Sequence, residues 1–538
     1  MRSFLVRPGR TGATIALAIV LVLGALWTPA QPAPMTPTPG GTLRISFVPL
    51  GNHIDVNSAN LSTINEFAHY VYETLFDRDG SGKVSGLLVR EHTQSADGLT
   101  ATWRLHPNVK FHDGTAFNAA AVKWNFERKI SKRQPLWDLL PFRSVDVVDD
   151  LTVRVTLTRP MPNMRAVLST KTYSMYSPAF VQRVGEEGIK TQASGTGPFT
   201  LAEFRPNDVI RFKKNPGYWR QGLPYLDEVV LRVAPDINTR ATMLEAGDVD
   251  MAMQISIPDA NRLKTKRGFK LFEAVGSQQY YIAINNRKPP LNDVRVRRAF
   301  NYAVDKDAII KTVFLGAARA ADAVYINRAV DGYVPAGVYK YSPDQAKKLL
   351  DEAGLTMGPG GVRQFQGRPW VVEITTRKGG APGDFEIAEL VQGMLKAVGV
   401  DARLRVLESA IFVRAVTLPP EQATYDLVNL AVGTFTGDAE YTMLTFYHTN
   451  SAAPRYFNRA YYSNPVVDQL IEQSLKSTSG SGRNKIYYQQ IVKQVFQDAP
   501  IIMLVDVTQQ AAAREAVHGV YLEGAGNNWP AKYAWIAK

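Results

Sequence analysis
The chain of 538 residues contains no cysteine. This excludes a disulfide framework, a thiolate metal site, a cysteine nucleophile and a lipid anchor on an N-terminal cysteine. Long apolar runs are also scarce. Only the N-terminus approaches a membrane span, so a multi-span transporter is excluded. No long block of one charge occurs, although Lys+Arg number 62 against 49 Asp+Glu. The densest basic cluster, Arg262, Lys264, Lys266, Arg267 and Lys270, has no interleaved aromatics, so it reads as solvated surface and argues against a nucleic-acid partner. G-x-x-x-x-G-K-[ST], G-x-G-x-x-G and H-E-x-x-H are missing as well. The seven histidines are scattered, and the spacing of His106 and His112 fits no common zinc pattern. Ser479-Gly480-Ser481-Gly482 lacks the G-x-S-x-G spacing of a nucleophile elbow. No catalytic residue, metal or cofactor is expected.

What is present begins with an export signal. Arg2, Arg7 and Arg10 precede an uncharged run from Thr11 to Trp27, followed by Thr28-Pro29-Ala30. As a helix the run is about 25 Å long, short for a bilayer core of about 30 Å. Residues 1–30 therefore read as a cleaved secretory signal, with a retained membrane anchor as the alternative. Without the three arginines the charge balance is 59 to 49, still basic. Residues 31–41 form a Pro-rich linker ending in Gly40-Gly41, and the folded body is expected from Thr42.

An apolar fraction of 45% with 21% charged residues is that of a globular protein, and the length suits two or three structural units. Thr42–Val48 and Leu151–Leu157 alternate with period two, as half-buried strands do. Ser342-Pro343-Asp344-Gln345 is a helix start, with Ala346, Leu349, Leu350 and Ala353 on one face and Gly354 as the stop. Ile387, Leu390, Val391, Met394, Leu395 and Val398 mark a second helix ended by Gly399. Flanked by Val371–Ile374 and Val400–Val406, that helix predicts a βαβ crossover and an α/β domain.

Several segments share one order with a known family. Leu99–Gly114 contains Val109-Lys110-Phe111-His112-Asp113-Gly114, and Asn118–Trp124 follows. Then come Gly195-Thr196-Gly197-Pro198-Phe199, Asn215-Pro216-Gly217-Tyr218-Trp219, Pro290–Ala299 and Ala346–Gly354. This series resembles the family-5 extracellular solute-binding proteins of ABC importers, with Ala121 where the family carries an acidic residue. Read locally, Asp113-Gly114 is a turn, Gly195 and Gly197 suit a backbone of positive φ, and Asp293 caps a helix.

The resemblance implies an α/β fold of the two-lobed periplasmic-binding-protein type, with hinge strands and an extra subdomain in the first lobe. Lobe I would cover 42–280, with an inserted subdomain at about 75–195. Lobe II would cover 281–504, and 505–538 would return to lobe I. The crossing strands are expected at Gln279–Ile284 and Ile501–Val505. The implied protein is a periplasmic, monomeric, non-enzymatic receptor whose partners are the membrane subunits of an ABC importer.

The resemblance also points to a ligand site. Relatives that bind dipeptides carry a glycine-rich turn whose aspartate takes the ligand's α-amino group, and Thr436-Gly437-Asp438 matches that turn. A tryptophan that precedes it in those relatives is replaced here by Thr434 or Phe435. Thr436–Tyr441 and Phe457–Pro465 look most like the glutathione-binding branch. The implied substrate-binding residues are Asp438, Gly433, Thr434 and Phe435 from the second lobe, with Phe47, Val48 and Asn52 from the first. Arg377, expected in a loop, is a candidate for a ligand carboxylate, and Tyr280 and Tyr281 either wall the cleft or pack the core. The ligand would be a short peptide or a peptide-like solute such as glutathione. The alternatives are a nickel-chelator or opine receptor and, from another class, an exported α/β hydrolase.

Overall fold
The computed structural model describes residues 36–48, 52–57, 62–134, 136–378, 381–434, 436–477, 484–521 and 530–538. The signal expected over 1–30 and the candidate Phe435 lie outside the described residues. Among the described residues, eleven strands make one mixed sheet. Its order is Asp401–Leu407, Val371–Arg377, Leu427–Val432, Phe269–Ile284, Ile501–Arg514, Met251–Met253, Thr42–Phe47, Glu228–Val233, Val209–Lys214 and Phe199–Arg205, with Ala318–Ala320 added against Ile501–Arg514.

The two longest strands organise this sheet. Phe269–Ile284 runs antiparallel to Ile501–Arg514, from Phe269↔Arg514 to Ala283↔Ile501. The register shifts between Val275 and Gln279, where Gly276 and Ser277 interrupt the alternation of apolar residues. Before the shift the pair adjoins Met251–Met253, and after it Gln279–Ile284 pairs with Leu427–Val432. Each long strand thus enters two hydrophobic cores. The crossing segments are longer than the six and five residues expected from sequence, because the flanking residues stay extended beyond the most apolar stretch.

The first lobe packs Leu43, Ile45 and Phe47 with Phe212, Val229 and Leu231. The second lobe is covered on both sheet faces. Ile282, Ile284, Val372 and Ile374 meet Ile387, Val391 and Leu395 of the helix Asp384–Ala397, while Tyr281, Ala283 and Val428 meet Ile491, Val492 and Val495 of Gln489–Asp498. Alternate residues of one strand therefore serve opposite cores, the period-two consequence of the pleat. A separate antiparallel sheet, in the order Val89–Gln94, Thr100–Leu105, Thr152–Leu157 and Phe142–Asp149, forms the extra subdomain around Trp103, Val153, Val155 and Phe126.

The local expectations hold in the second lobe. Val371–Arg377 and Asp401–Leu407 are parallel, from Val371↔Asp401 to Arg377↔Leu407, with the helix between them. Ser342 Oγ accepts the Gln345 N–H at 3.3 Å at the start of Pro343–Glu352. Asp293 Oδ1 accepts the Arg295 N–H at 2.8 Å at the start of Val294–Ala303. The glycines of Gly195-Thr196-Gly197 differ from expectation, because neither takes a positive φ. Close approach requires them instead. A Cβ on Gly195 would sit 2.2 Å from the Val71 carbonyl oxygen, and one on Gly197 would sit 2.6 Å from that of Tyr70.

Candidate functional site between the lobes
The parallel strands Val371–Arg377 and Leu427–Val432 end at the same edge of the second lobe. From there the chain turns through Gly433 to Asp438, which opens the short helix Ala439–Thr442. The turn is tied to its own lobe. Asp331 N–H donates to the Gly437 carbonyl at 2.9 Å, and Ala439 N–H donates to the Asp331 carbonyl at 2.8 Å. Gly437, at φ 64°, supplies the left-handed residue of that turn. Thr434 and Thr436 are buried, their hydroxyls 3.4 Å apart, so the Thr434 side chain is spent within the turn.

Asp438 is 7% exposed. Its Oδ1 accepts the Glu440 N–H at 2.8 Å, the helix-capping role that a turn aspartate ordinarily fills. The same atom accepts Asn163 Nδ2 at 3.1 Å, from a residue 275 positions earlier in the extra subdomain. A carboxylate has room for about four hydrogen bonds, so capping does not exhaust it.

Two more contacts join the subdomain side to the second lobe. Arg78 Nη2 donates to the Thr436 carbonyl at 2.7 Å, and Tyr456 Oη donates to Asp138 Oδ2 at 2.5 Å. Leu139 joins the second lobe's aromatic cluster with Tyr441 and Tyr456. The structure is therefore one in which the two sides touch at Asp438. Beside the Asp138–Tyr456 contact a cavity of about 290 Å³ opens on the seam, lined by both residues with Arg159, Leu444, His448 and Arg455. A larger depression of about 580 Å³, near Trp370, Arg368 and Asp426, lies at the other end of the second lobe's strands.

Arg377 is the last residue of its strand, not a loop residue. The ladder with Leu407 extends to it because its side chain packs over Phe412, 4.9 Å from the ring centre. Its Nε is 3.7 Å from Asp384 Oδ2, within ion-pair range but too far for a hydrogen bond, and is buried without one. Burial pushes the Asp384 carboxyl up to about 6, against the Ala381 N–H and the Arg377 guanidinium. Asp384 Oδ1, Thr375 Oγ1 and Asn429 Oδ1 are likewise buried without hydrogen bonds. The end of this strand is thus polar and under-satisfied.

The remaining candidates divide between core and surface. Phe47 is 3% exposed and belongs to the first lobe's core, Val48 packs on its edge and Asn52 is exposed. Gly433 is half-buried at the strand end. Tyr280 and Tyr281 face opposite cores, and Tyr280 Oη donates to the Pro382 carbonyl at 2.6 Å. His112 Nε2 bonds the Gly197 carbonyl at 2.9 Å, and His106 packs on Trp219. Among the described residues, no three His, Asp or Glu side chains cluster to hold a metal ion. Sequence reasoning missed Arg78, Asp138, Asn163 and Tyr456. The one available signal was Asn163 at the start of the helix Met164–Leu168, where asparagine is common for another reason.

The model of bacterial extracellular solute-binding proteins, family 5, matches residues 83–454. The chain belongs to this family. It is 32% identical over 477 residues to the glutathione-binding protein GsiB of Pectobacterium atrosepticum, covering 87% of this chain and 89% of that one. Among solved structures, the oligopeptide-binding protein AppA of Bacillus subtilis, bound to a nonapeptide, superposes with a TM-score of 0.80 at 22% identity, covering 94% of this chain and 100% of AppA. NikA of Brucella suis, in complex with Fe(III)-EDTA, does so with a TM-score of 0.80 at 26% identity, covering 92% and 100%. The fold is the two-lobed one of these binding proteins. As a member of the family the protein is a solute-binding protein. Its family is extracellular, and among the described residues no helix is long and apolar enough to cross a membrane.

Proposed function
We propose that the protein is a periplasmic, monomeric receptor that captures a short peptide with a free α-amino group, glutathione first among the candidates, and delivers it unaltered to importer membrane subunits. The carrying observation is Asp438, a carboxylate buried on the seam at the position of the family's Thr-Gly-Asp turn, where an ammonium group could reach it only between the lobes. The 32% identity to GsiB supports glutathione as the first ligand to try. The boundaries of lobe I at 42–280, lobe II at 281–504 and the returning segment 505–538 are part of this reading.

The roles of the individual residues are part of this reading. Asp438 takes the ligand ammonium in a charge-assisted bond contributing about 1.5–3 kcal/mol. The strand end at Gly433, with Thr434 after it, offers backbone groups to an extended peptide, and Phe435 stays a candidate beside them. Arg377, whose Nε makes no hydrogen bond and has only Asp384 Oδ2 at 3.7 Å as an ion-pair neighbour, takes a carboxylate of the ligand. Val48 and Asn52 form the first-lobe wall, and Phe47 packs in the core of that lobe. In this reading the ligand leaves as it entered.

The test is a thermal-shift screen of the protein against glutathione, di- and tripeptides, opines and nickel–histidine. A ligand at 100 times its dissociation constant adds about 2.7 kcal/mol of stability. The expected hits carry a free α-amine and weaken at least tenfold in Asp438→Asn. Stabilisation by nickel–histidine or opines alone would refute the peptide reading.

A further inference from the structure
Asn163 immediately precedes the helix Met164–Leu168, the position where an asparagine side chain ordinarily accepts a backbone N–H of its own first turn. It makes no such bond. The side chain instead reaches away from its helix to Asp438, with Nδ2 3.1 Å from Oδ1. The residue is 8% exposed, and its carbonyl Oδ1 is buried on the seam without a hydrogen bond. Leaving a buried amide carbonyl unpaired costs stability, and forgoing the local cap adds to that cost. The carboxylate fixes the amide's orientation: it accepts from Nδ2, which leaves Oδ1, an acceptor, as the unpaired end. The side chain is therefore held in a geometry that its own lobe does not reward.

A primary ammonium rewards it. Such a group carries three donors in a tetrahedral fan and needs acceptors from more than one direction. Asp438 supplies a charged acceptor from the second lobe, and Asn163 Oδ1 supplies a neutral one from the opposite side of the seam. We propose that Asn163 and Asp438 form a two-sided seat for the ligand's α-ammonium group, so that the amine itself couples capture to closure of the lobes. This rests on the reading of Asp438 as the amine's partner and adds the residue that completes it. A ligand lacking the amine leaves Oδ1 unpaired and closes the lobes less well. Asn163 is thus a specificity residue for primary amines over acylated or desamino analogues.

The alternative for the same hydrogen bond is a ligand-blind latch. Isothermal titration with glutathione, trialanine and N-acetyl-trialanine, the last by competition if weak, separates the two in the wild type, Asn163→Ala and Asp438→Asn. The expected result is a loss of about tenfold for trialanine in Asn163→Ala, with N-acetyl-trialanine changed less than twofold. The ratio of the two ligands within one variant is insensitive to partial misfolding, and Asn163→Gln, which keeps the amide, should restore part of the preference. Equal losses for both ligands would establish the latch and overturn the seat, as would no loss at all. If Asp438→Asn still removes the preference in that case, the amine clamp survives without Asn163. If the wild type binds neither glutathione nor trialanine, or does not distinguish trialanine from its acetylated form, the amine reading falls and the seat with it.

Discussion

Replacing Asp384 by asparagine is expected to stabilise the protein at neutral pH. The side chain is buried at 3% exposure, and burial raises its pKa from 3.8 to about 6. The opposing contributions are the Ala381 N–H at 2.7 Å and the Arg377 guanidinium, whose Nε is 3.7 Å away. Two pKa units at about 1.4 kcal/mol each put the cost of keeping this carboxylate ionised in the fold at roughly 3 kcal/mol. A folded pKa above the unfolded one contributes stability that is complete below about pH 4 and is lost as pH rises through 6. Asparagine keeps an acceptor for the Ala381 N–H and has no charge to bury. The stability advantage of the variant should therefore be about 2–3 kcal/mol at pH 7.5 and shrink toward zero near pH 4, since other titrations are common to both proteins. Urea unfolding followed by tryptophan fluorescence at several pH values measures it. A difference that does not change with pH, or a variant less stable at pH 7.5, would contradict the burial cost assigned to the Asp384 charge. It would mean that Arg377 holds the charge more strongly than burial opposes it. The same substitution leaves the Arg377 guanidinium without a competing carboxylate, so affinity for a ligand carboxylate should rise.

Three further outcomes are expected. Asp77→Asn should cost about 3–5 kcal/mol, because Asp77 is the shared partner of the buried Lys171 and Lys532 ammonium groups at 2.9 and 2.5 Å. Burial opposes its charge, but the two lysines hold its pKa far below the usual range, so the wild type should lose this stability only as pH falls below about 4, and the variant should lack that acid-dependent component in unfolding titrations. Gly195→Ala should destabilise by more than 3 kcal/mol or abolish soluble expression, since its Cβ would lie 2.2 Å from the Val71 carbonyl oxygen. Tyr456→Phe removes the hydroxyl that joins Asp138 across the seam at 2.5 Å, so small-angle scattering of the unliganded variant should show a larger radius of gyration than the wild type.

The parts of this fold that were legible in the sequence are those decided by neighbours along the chain. The cap at Ser342, the cap at Asp293 and the period of Ile387 to Leu395 each report a local free energy, and the βαβ unit assembled from them follows. The ordered motifs, from Val109–Gly114 to Ala346–Gly354, carried the family. What was not legible depends on pairs far apart. Arg78 and Thr436 are 358 residues apart, and Asn163 and Asp438 are 275 apart, so no spacing or periodicity marks them. Gly195 and Gly197 were read as conformational glycines because close approach to Val71 and Tyr70 leaves no local trace. Phe47 ends a strand that points toward the cleft, yet its side chain takes the inward side of the pleat, which a one-residue change of register would have reversed.

A crystal structure of the protein grown with glutathione tests the amine seat at Asp438 most directly. Ligand density is expected between the lobes, with the α-amino nitrogen about 3 Å from the Asp438 carboxylate and from Asn163 Oδ1. Glutathione bound away from Asp438, or with its amine facing solvent, would contradict it.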